Sequence, residues 1–547
     1  MSRSERLGQV VGKVPSGLWA LLGGATWALC FGERGLLLAP WLALAPIFFL
    51  LGRPRAVALA WLHGTAFWLG SLYWIVPTLM TFGRLPATLA TLGLLLLAAF
   101  LSLLFWVPFG FFGRRLWRAR GWPLYLGLPA LWTALEWLRE YIFSGFPWNL
   151  AAYAAVDVPG ARPLTAIVGA YGLSFLLLVV NTAVALSLRD RRWKPALIAG
   201  AVGAAGLLVG LAISPGPGLD SEARLGASVA GSYVRVLQPN IYNLVEWDRA
   251  QAEANYRSAM SQADAACEAG VLVILPESAT WPYVYGREPR LTADLDRLAE
   301  RGCRLMVNSI SAVPTSIDPE AEGRGETYYN SALLIGADGI EGRYDKRHLV
   351  PFGEYVPFGG LFAWLDKLAR MAGDFAPGSE PGLLAWNGEE IGTAICYEVV
   401  YAGNVALQVQ AGASLLVTTT NDAWYGDSTA PWQHLRAAQF RAAEHSRTML
   451  RSAISGVSAV IAPDGSLVSH LGVGERGVLE ARVAGRRRLN LYTRAPWLVP
   501  LVAALLALAA YANVRGRQRS DSAEEPAAGP APRPTPKSEG KTKAPGS

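Results

Sequence analysis

The sequence predicts a membrane protein in which an α-helical bundle is joined to a folded α/β domain. Charged residues make up 17% of the 547 residues and hydrophobic residues 52%, whereas soluble domains usually contain about 25% charged residues. Long apolar stretches fill most of residues 17–213, and shorter strand-like runs recur between residues 226 and 490. These features predict about eight transmembrane helices and one folded domain outside the membrane.

The apolar stretches approach or reach the length of a bilayer-spanning helix, which needs about 20 mostly apolar residues. The first two candidates are separated only by the short turn GERG and are the least certain of the eight. Because further apolar stretches follow at once, the first is not expected to be a cleaved signal peptide. The candidate spans cover roughly residues 17–33, 35–52, 56–80, 87–112, 121–139, 164–188, 195–213 and 496–513.

Basic residues are concentrated in alternate loops between these spans. By the positive-inside rule, the basic loops and both termini are expected in the cytoplasm. The segment between the seventh and eighth spans is then expected in the periplasm or its equivalent. The basic set comprises Arg3, Arg6, Lys13, Arg53, Arg55, Arg114, Arg115, Arg118, Arg120, Arg189, Arg191, Arg192, Lys194, Arg515, Arg517 and Arg519, whereas the opposite loops hold Arg34, Arg84, Arg139 and Arg162.

Four segments are therefore expected. Residues 1–225 form an N-terminal membrane domain with seven transmembrane helices, 226–490 an outside domain, and 491–513 a C-terminal transmembrane helix. Residues 514–547 are rich in Pro, Ala and charged residues and have no apolar period. Such a composition buries too little apolar surface to fold, so this tail is expected to be disordered and cytoplasmic.

The outside segment is predicted to be an α/β layered domain. Several of its strand-like runs are continuously apolar, as is typical of strands buried on both faces. Helix-like stretches occur at 248–268, 290–301 and 432–447, and the Gly/Asp turn within YYNSALLIGADGIEGRY predicts a hairpin. The strand-like runs are YVRVLQ, VLVILPE, RLMVNSIS, YYNSALLIG, IGTAICYE, SLLVTTTND and GVSAVIAPDG.

The cysteines and histidines form no recognisable pattern of their own. The four cysteines, Cys30, Cys267, Cys303 and Cys396, lack paired spacing, so neither a disulfide framework nor a metal clip is predicted. The five histidines are dispersed, and His434 and His445 are too far apart to be a ligand pair on one helical turn. No metal site is expected.

Reactive side chains follow three of the strand-like runs. Glu277 ends VLVILPE, Cys396 follows IGTAI, and Lys346 follows the predicted hairpin, with Glu354 eight residues further on. Functional groups often lie in loops held by a rigid scaffold, and a carboxylate, an ammonium and a thiol can act together as base, oxyanion stabiliser and nucleophile. Each residue alone also has a structural explanation: Glu277 could cap a helix, Lys346 could be solvated, and Cys396 could be core.

The motifs around these residues resemble a known enzyme family. LPES, YDKRHLVPFGEYVPF, ICYE and TNDAWYGDSTAPWQH together are similar to the nitrilase superfamily, and within it to its membrane-embedded branch, the apolipoprotein N-acyltransferases. The resemblance covers almost the whole chain. It implies an αββα sandwich and a Glu–Lys–Cys triad, with Glu277 as general base, Lys346 as oxyanion stabiliser and Cys396 as nucleophile.

The same resemblance implies a set of supporting residues. In one respect the chain departs from the family pattern: some relatives carry Thr-Asn-Asn-Gly where this chain has AISG at 453–456. Any substrate contact made by those amides is expected to be absent or replaced here. The supporting residues are Glu354, Tyr397, Glu398, Trp247 in a mobile loop, Trp148 in the motif GFPW, and Asn421 and Trp424 in NDAWYG.

The reaction that the resemblance implies is the completion of bacterial lipoproteins. An acyl chain passes from a phospholipid, expected to be the sn-1 chain of phosphatidylethanolamine, to Cys396 as a thioester. It then passes to the α-amine of the diacylglyceryl-cysteine at the N-terminus of an apolipoprotein. The implied partners are these two substrates, without a cofactor or nucleic acid. The implied protein is a monomer of the bacterial inner membrane with its catalytic domain in the periplasm.

Two other functions remain open at this point. A membrane-tethered carbon–nitrogen hydrolase, or amidase, would use the same triad but pass its acyl-enzyme to water. A binding scaffold without activity would tolerate replacement of Glu277, Lys346, Glu354 and Cys396.

Overall fold

The computed structural model describes residues 15–214, 231–241, 248–314, 326–351, 353–355 and 375–524, the last six of these by backbone only. The chain begins with an α-helical part. Its helices are α1 (Ser16–Leu29), α2 (Ala45–Leu50), α3 (Ala56–Ser71), α4 (Ile75–Thr81), α5 (Ala87–Trp117), α6 (Trp122–Tyr125), α7 (Gly127–Leu138), α8 (Ala161–Asp190) and α9 (Lys194–Ile213).

Four helices of the described chain are long and apolar enough to cross a membrane: α5, α8, α9 and the final helix α15 (Leu498–Glu524). The predicted count of eight is not confirmed, because the other candidate spans form shorter or interrupted helices. Pro40 and Pro46 each lie in the first turn of a new short helix within the candidate span 35–52. Proline is favoured at this position and cannot continue a preceding helix without a break.

The outer surfaces of the long helices carry large apolar side chains. Leu96 and Leu103 on α5, Leu208 on α9 and Leu508 on α15 are all more than half exposed. Extended apolar surface of this kind is typical of a protein that contacts lipid. The structure and composition therefore describe a multi-pass membrane protein. Helix α15 continues to Glu524, past the boundary predicted at 513, and residues 525–547 lie outside the described part of the chain.

The α/β part contains two six-stranded mixed sheets among the described residues. The first has the order β12-β1-β2-β3-β4-β5 and the second β11-β10-β9-β8-β7-β6. The strands are β1 (Ser232–Gln238), β2 (Leu272–Ile274), β3 (Arg304–Pro314), β4 (Glu326–Gly336), β5 (Gly339–Asp345), β6 (Leu383–Trp386), β7 (Glu389–Ile395), β8 (Leu415–Thr420), β9 (Met449–Ala453), β10 (Ser458–Ile461), β11 (Leu467–Leu471) and β12 (Gly477–Val483).

The two sheets pack face to face and are covered on both outer faces by helices. Side chains of both sheets, such as Val236 and Met306 from the first and Ile395 and Val417 from the second, share one buried core. Helices α10 (Arg249–Ala266) and α11 (Pro289–Glu300) cover the first sheet, and α12 (Ala402–Gln410) and α13 (Ala430–His445) cover the second. The αββα sandwich, its predicted helices and the β4–β5 hairpin are thereby confirmed.

Helix α13 is shared between the two parts of the molecule. Its residues from Gln433 to His445 are all buried, because one side packs on the second sheet and another packs on α8. Polar contacts cross the same boundary: the backbone amide of Ala170 donates to Glu444 Oε1 at 2.7 Å, and Arg436 Nη1 donates to the carbonyl of Cys30 at 2.9 Å. The α/β sandwich and the helical bundle therefore share one continuous core.

Two of the cysteines form a disulfide, which corrects the prediction of no paired cysteines. Cys267 follows α10 and Cys303 precedes β3, 36 residues apart in sequence. Strands β2 and β3 are parallel neighbours, so the segments leading into them meet at one end of the sheet. Sequence spacing alone does not reveal such a meeting. Cys30 and Cys396 are free and buried.

Close backbone contact in the membrane part predicts that adding one methyl group lowers stability at one position of α9 and not at another. An added Cβ at Gly210 of α9 would lie 1.9 Å from the carbonyl oxygen of Gly160, whereas one at Gly200 of the same helix would meet nothing within 4 Å. We expect Gly210→Ala to destabilise the protein by about 1–3 kcal/mol, as overpacking usually does. Gly200→Ala is the matched control and should leave the melting temperature of the detergent-purified protein unchanged or raised. Equal melting temperatures for the two variants would contradict the close contact.

Candidate active site

The predicted Glu277, Lys346 and Cys396 meet where strands end. Glu277 follows β2, Lys346 directly follows β5, and Cys396 directly follows β7. Lys346 Nζ lies 2.9 Å from Glu354 Oε1 and 3.5 Å from Glu277 Oε1. Glu277, Lys346, Glu354 and Cys396 are each at most 9% exposed as whole residues. The structure thus brings the predicted carboxylates, ammonium and thiol into one buried cluster.

Asn330 connects the two carboxylates and was not predicted. Its Nδ2 donates to Glu277 Oε1 at 3.1 Å and to Glu354 Oε1 at 2.7 Å. Asn308 Nδ2 in turn donates to Asn330 Oδ1 at 2.7 Å, which fixes the orientation of the amide. Asn330 lies within strand β4 rather than at its end, so the strand-end pattern gave no signal for it. A polar residue inside the apolar run YYNSALLIG is the only sequence feature that marks it.

The second oxygen of Glu277 is held by the predicted residue Asn421. The backbone amide of Asn421 donates to Glu277 Oε2 at 2.9 Å. Its side chain accepts from the amide of Ala423 at 3.3 Å and so starts the short 3₁₀ turn Asp422–Tyr425. Asn421 therefore binds Glu277 through its backbone amide, and its side chain holds that amide in position.

The thiol of Cys396 lies in a buried and electrostatically mixed environment. The residue has φ +54° at the start of the 3₁₀ turn Cys396–Val400, a left-handed conformation that is uncommon outside glycine. Burial raises the pKa of the thiol, the negative charge of Glu277 raises it further, and the positive charge of Lys346 opposes both. Thr420 Oγ1 lies 3.4 Å from Sγ. The raised pKa means that the resting cysteine holds its proton.

Lys346 keeps its positive charge although it is buried. Burial opposes the ammonium form, but the carboxylates of Glu354 and Glu277 outweigh burial and raise the pKa of Lys346 above its usual value. Glu354 is oriented for this role because its other oxygen accepts from the amide of Val350 at 2.9 Å. A permanently charged donor is thereby fixed beside the thiol.

Glu398 joins the lysine loop to the cysteine strand. Its Oε2 accepts from the amide of Ile395 at 2.8 Å, and its Oε1 accepts from the amides of Arg347 at 2.8 Å and His348 at 3.0 Å. Burial raises the pKa of this carboxyl, and the amides and Lys346 oppose the rise. The predicted Glu398 thus connects the segment that follows Lys346 to the end of the strand that precedes Cys396.

A buried polar network behind Cys396 was also missed by the sequence analysis. His434 Nε2 donates to the carbonyl of Cys396 at 3.1 Å, and Arg451 Nη2 lies 2.6 Å from Asp422 Oδ2 and 3.1 Å from His434 Nδ1. Burial opposes the charge of Asp422, but Arg451 and His434 outweigh burial and lower its pKa to about 2. Burial and Arg451 lower the pKa of His434, which keeps the imidazole neutral.

The AISG segment has a steric role in this network. A Cβ at Gly456 would lie 2.4 Å from the side chain of Asp422, so glycine is needed where that carboxylate packs. Ile454 is buried, and its amide donates to the carbonyl of Thr420 at 3.1 Å. The segment thus supports the end of strand β8 at Thr420, directly before Asn421.

The predicted aromatic residues lie at the boundary with the membrane helices. Trp148 is buried, donates from Nε1 to Gln433 Oε1 at 2.7 Å, and stacks with Tyr397 at a ring-centre distance of 6.1 Å. Trp424 is 40% exposed and lies 4.2 Å from the ring centre of Phe82, which follows α4. Trp247 lies outside the described residues. Trp148 therefore packs on Tyr397, the residue after Cys396, whereas Trp424 contacts the end of the membrane segment that follows α4.

No group of three or more His, Cys, Asp and Glu side chains in the described ranges has an arrangement that could hold a metal ion. The chemistry available from the described residues is that of a thiol, a carboxylate base and a charged ammonium. Such a set can form and resolve a covalent acyl-enzyme.

Comparison with known proteins matches both parts of the chain. The family model of the apolipoprotein N-acyltransferase N-terminal domain matches residues 23–183, and that of carbon-nitrogen hydrolase matches residues 233–488. The chain is 33% identical over 488 residues to the apolipoprotein N-acyltransferase of Geobacter metallireducens, covering 87% of this chain and 91% of that one. It is 34% identical over 538 residues to that of Azotobacter vinelandii, covering 94% and 97%.

Among solved structures, a mutant of the Nesterenkonia AN1 amidase from the nitrilase superfamily matches with a TM-score of 0.33 and 24% identity. The match covers 46% of this chain and 91% of the amidase.

The charges around Cys396 predict opposite effects of two substitutions on thiol reactivity. Glu277→Gln removes a negative charge that raises the thiol pKa, so alkylation by iodoacetamide at mildly alkaline pH should become faster. Lys346→Met removes a positive charge that lowers the pKa, so alkylation should become slower. We expect changes of about tenfold in opposite directions, measured by intact-protein mass spectrometry with Cys396→Ser as the control. Rates that move in the same direction would contradict this electrostatic coupling.

Proposed function

Because the chain belongs to the apolipoprotein N-acyltransferase family, we propose that it transfers an acyl chain from a phospholipid through Cys396 to the N-terminal amine of a lipoprotein. The family establishes an acyltransferase that is a multi-pass bacterial membrane protein with a lipoprotein substrate. The donor, the intermediate and the residue roles are our proposal. The observation that carries it is the buried cluster of Glu277, Lys346 and Cys396.

In the first half-reaction, Glu277 accepts the proton of the Cys396 thiol as sulfur attacks the carbonyl carbon of a phospholipid ester, the sn-1 ester of phosphatidylethanolamine in our proposal. The C–S bond forms, and the carbonyl oxygen becomes an oxyanion. When the oxyanion collapses, the C–O ester bond breaks and Glu277 returns the proton to the lysophospholipid alkoxide. The raised thiol pKa supports this order, since the thiol needs a base at the moment of attack.

In the second half-reaction, the α-amine of a diacylglyceryl-cysteine attacks the thioester carbon. The N–C bond forms, the C–S bond breaks, and Glu277 carries the amine proton to the leaving thiolate. The enzyme returns to its starting state without a redox or metal cofactor. This two-step exchange is ping-pong covalent catalysis.

Lys346 stabilises the oxyanion in both halves. Its raised pKa supports a full positive charge throughout the cycle, and its hydrogen bond to Glu354 fixes its position before substrate binds. A preorganised donor of this kind is typically worth about 2.7–4 kcal/mol in the barrier. Trp247 belongs to the proposal as part of a substrate gate.

The connection to the membrane helices suits lipid substrates. Burial of acyl CH₂ groups is worth about 0.8 kcal/mol each, so lifting a long chain into water would cost on the order of 10 kcal/mol. If the active site is joined to the membrane helices, the acyl chain of the lipid can stay in an apolar environment during the reaction. The exposed Trp424 beside Phe82 supports this arrangement, because indoles favour the headgroup level of a bilayer.

We further propose that the catalytic domain lies in the periplasm, that both termini are cytoplasmic and that the protein acts as a monomer. The distribution of basic loops supports the orientation. The Cys267–Cys303 disulfide supports it independently, because disulfides persist in oxidising compartments and are rare in the cytosol.

The proposal can be tested by detecting the acyl-enzyme. Protein incubated with phosphatidylethanolamine without an amine acceptor should gain the mass of one acyl chain, released by hydroxylamine. Glu277→Gln and Cys396→Ala should gain none, since the first cannot move the proton and the second lacks the sulfur. Intact-protein mass spectrometry measures all three. An acyl adduct on Cys396→Ala would contradict the mechanism.

A diacylated lipopeptide added to the acyl-enzyme distinguishes transfer from hydrolysis. We expect N-acylated lipopeptide to form as the thioester disappears. Release of free fatty acid at the same rate with and without lipopeptide would favour the amidase function instead.

Orientation can be tested by placing one cysteine on each side of the membrane. Glu300 on α11 and Gln518 near the end of α15 are both exposed, and the two native free cysteines are buried. In intact spheroplasts, an impermeant thiol reagent should label Glu300→Cys and leave Gln518→Cys unlabelled until the cells are lysed. The reverse pattern would exclude the proposed orientation.

A further inference from the structure

A groove of about 670 Å³ lies where the sandwich meets the membrane helices, and the proposed reaction does not use it. One wall is apolar and comes from the start of α8 and the end of α9, namely Pro163, Ala166, Ile167 and Ile213. The opposite wall belongs to the segment that leads from β12 into the last membrane helix. That segment contributes Arg486, Arg487, Arg488 and Arg494, and Arg447 joins them from the end of α13. We call this cavity the arginine groove.

The arginines of the groove differ in whether their guanidinium groups already donate hydrogen bonds to other residues. Arg447 donates to the carbonyls of Ala413 and His445, and Arg487 donates to that of Gly388. By contrast, the side chains of Arg486, Arg488 and Arg494 make no hydrogen bond or ion pair with other residues of the described ranges. The hydrogen-bond donors of these three guanidinium groups are therefore available to a ligand, although the negative charge of Asp464 acts on Arg486.

The only carboxylate among the described lining residues is already occupied. Asp464 Oδ2 accepts from Ser214 Oγ at 3.0 Å, and its Oδ1 accepts from the amide of Ser466 at 2.9 Å. The groove thus offers several cationic donors and no free anion. An anionic ligand fits this lining, whereas the ammonium of a zwitterionic headgroup finds no partner.

The groove lies at the level where the apolar helices end. Helix α8 begins at Ala161, α9 ends at Ile213 and α15 begins at Leu498, so the basic wall stands at one end of three membrane-spanning helices. Nearby Leu491 and Trp497 are 65% and 55% exposed. Exposed leucine and tryptophan beside arginine are typical of the zone between acyl chains and headgroups.

We propose that the arginine groove binds an anionic phospholipid of the adjacent leaflet. Its phosphate contacts Arg486, Arg488 and Arg494, and its acyl chains follow the apolar wall at Ile167 and Ile213. Arginine suits this role because its planar donors match phosphate oxygens bidentately. The lipid would connect the start of α8, the end of α9 and the segment before α15.

This site is separate from the catalytic cluster. On α13, His434 contacts the carbonyl of Cys396, and Ala443 is the first residue that lines the groove. The helix rises about 14 Å between these two residues. The inference does not rest on the proposed acyl transfer, because the arginines of the groove take no part in the proposed reaction.

The test uses full-length Cys396→Ala protein in detergent, so that no lipid is consumed as donor. Phosphatidylglycerol should raise the melting temperature in a saturable manner and remain bound in native mass spectrometry. Phosphatidylethanolamine and inorganic phosphate at equal concentrations should not do so. The double variant Arg486→Gln/Arg494→Gln should weaken phosphatidylglycerol binding about 10- to 30-fold.

The matched control is Arg257→Gln/Arg297→Gln, which removes the same charge from exposed side chains on α10 and α11. It should bind phosphatidylglycerol like the parent. Arg488→Gln serves as a second variant if the double variant fails to fold, because this exposed side chain makes no hydrogen bond or ion pair with the described residues. It should weaken binding several-fold. Equal affinity in groove and control variants would overturn the proposal, as would equal binding of phosphatidylethanolamine. Phosphate that binds as tightly as the lipid would overturn the choice of a lipid ligand.

Discussion

The buried charge of Lys346 is the constraint on which the catalytic part of the structure depends. An ammonium removed from water costs several kcal/mol unless opposite charges and hydrogen bonds compensate it. Glu354 at 2.9 Å and Glu277 at 3.5 Å provide that compensation. Asn330 holds both carboxylates at once. The ends of β2 and β5 and the loop after Lys346 must therefore converge, and the chemistry of the site follows from how this charge is neutralised.

Buried charged groups also hold helix α13 against the membrane part of the protein. Its first half contacts the carbonyl of Cys396 through His434, and its second half carries the buried Arg441–Glu444 ion pair at 2.8 Å. Both members of the pair lie on α13, and each also contacts the membrane part: Glu444 accepts from the amide of Ala170, and Arg441 donates to the hydroxyl of Tyr153 at 3.2 Å. Separating the two parts of the protein would leave these buried groups without their partners, at a cost of about 1–3 kcal/mol for each unsatisfied group.

The sandwich and the meeting of Glu277, Lys346 and Cys396 could be predicted because both depend on patterns of neighbouring residues in the sequence. Strand-like runs that end in Glu277 and Cys396 can be read from neighbouring letters, and the hairpin before Lys346 is marked by its turn. Asn330, His434 and Arg451 could not be found in this way. They lie inside strands or helices, and the residues that they contact are distant in sequence. The disulfide was missed for a related reason, since only the parallel pairing of β2 with β3 brings Cys267 to Cys303. The predicted count of eight spanning helices is not confirmed, because hydropathy does not show where an apolar stretch is interrupted.

The sharing of one helix between the sheet and the bundle has a consequence for selectivity. A flexible tether would let the thiol sample many heights above the bilayer, and any ester within reach could react. Here Cys396 is fixed relative to the helix ends, so its depth along the membrane normal is set by the fold. In the proposed reaction, regiochemistry would then be decided by position along the normal, and acyl chains of different length could be accepted at the same ester.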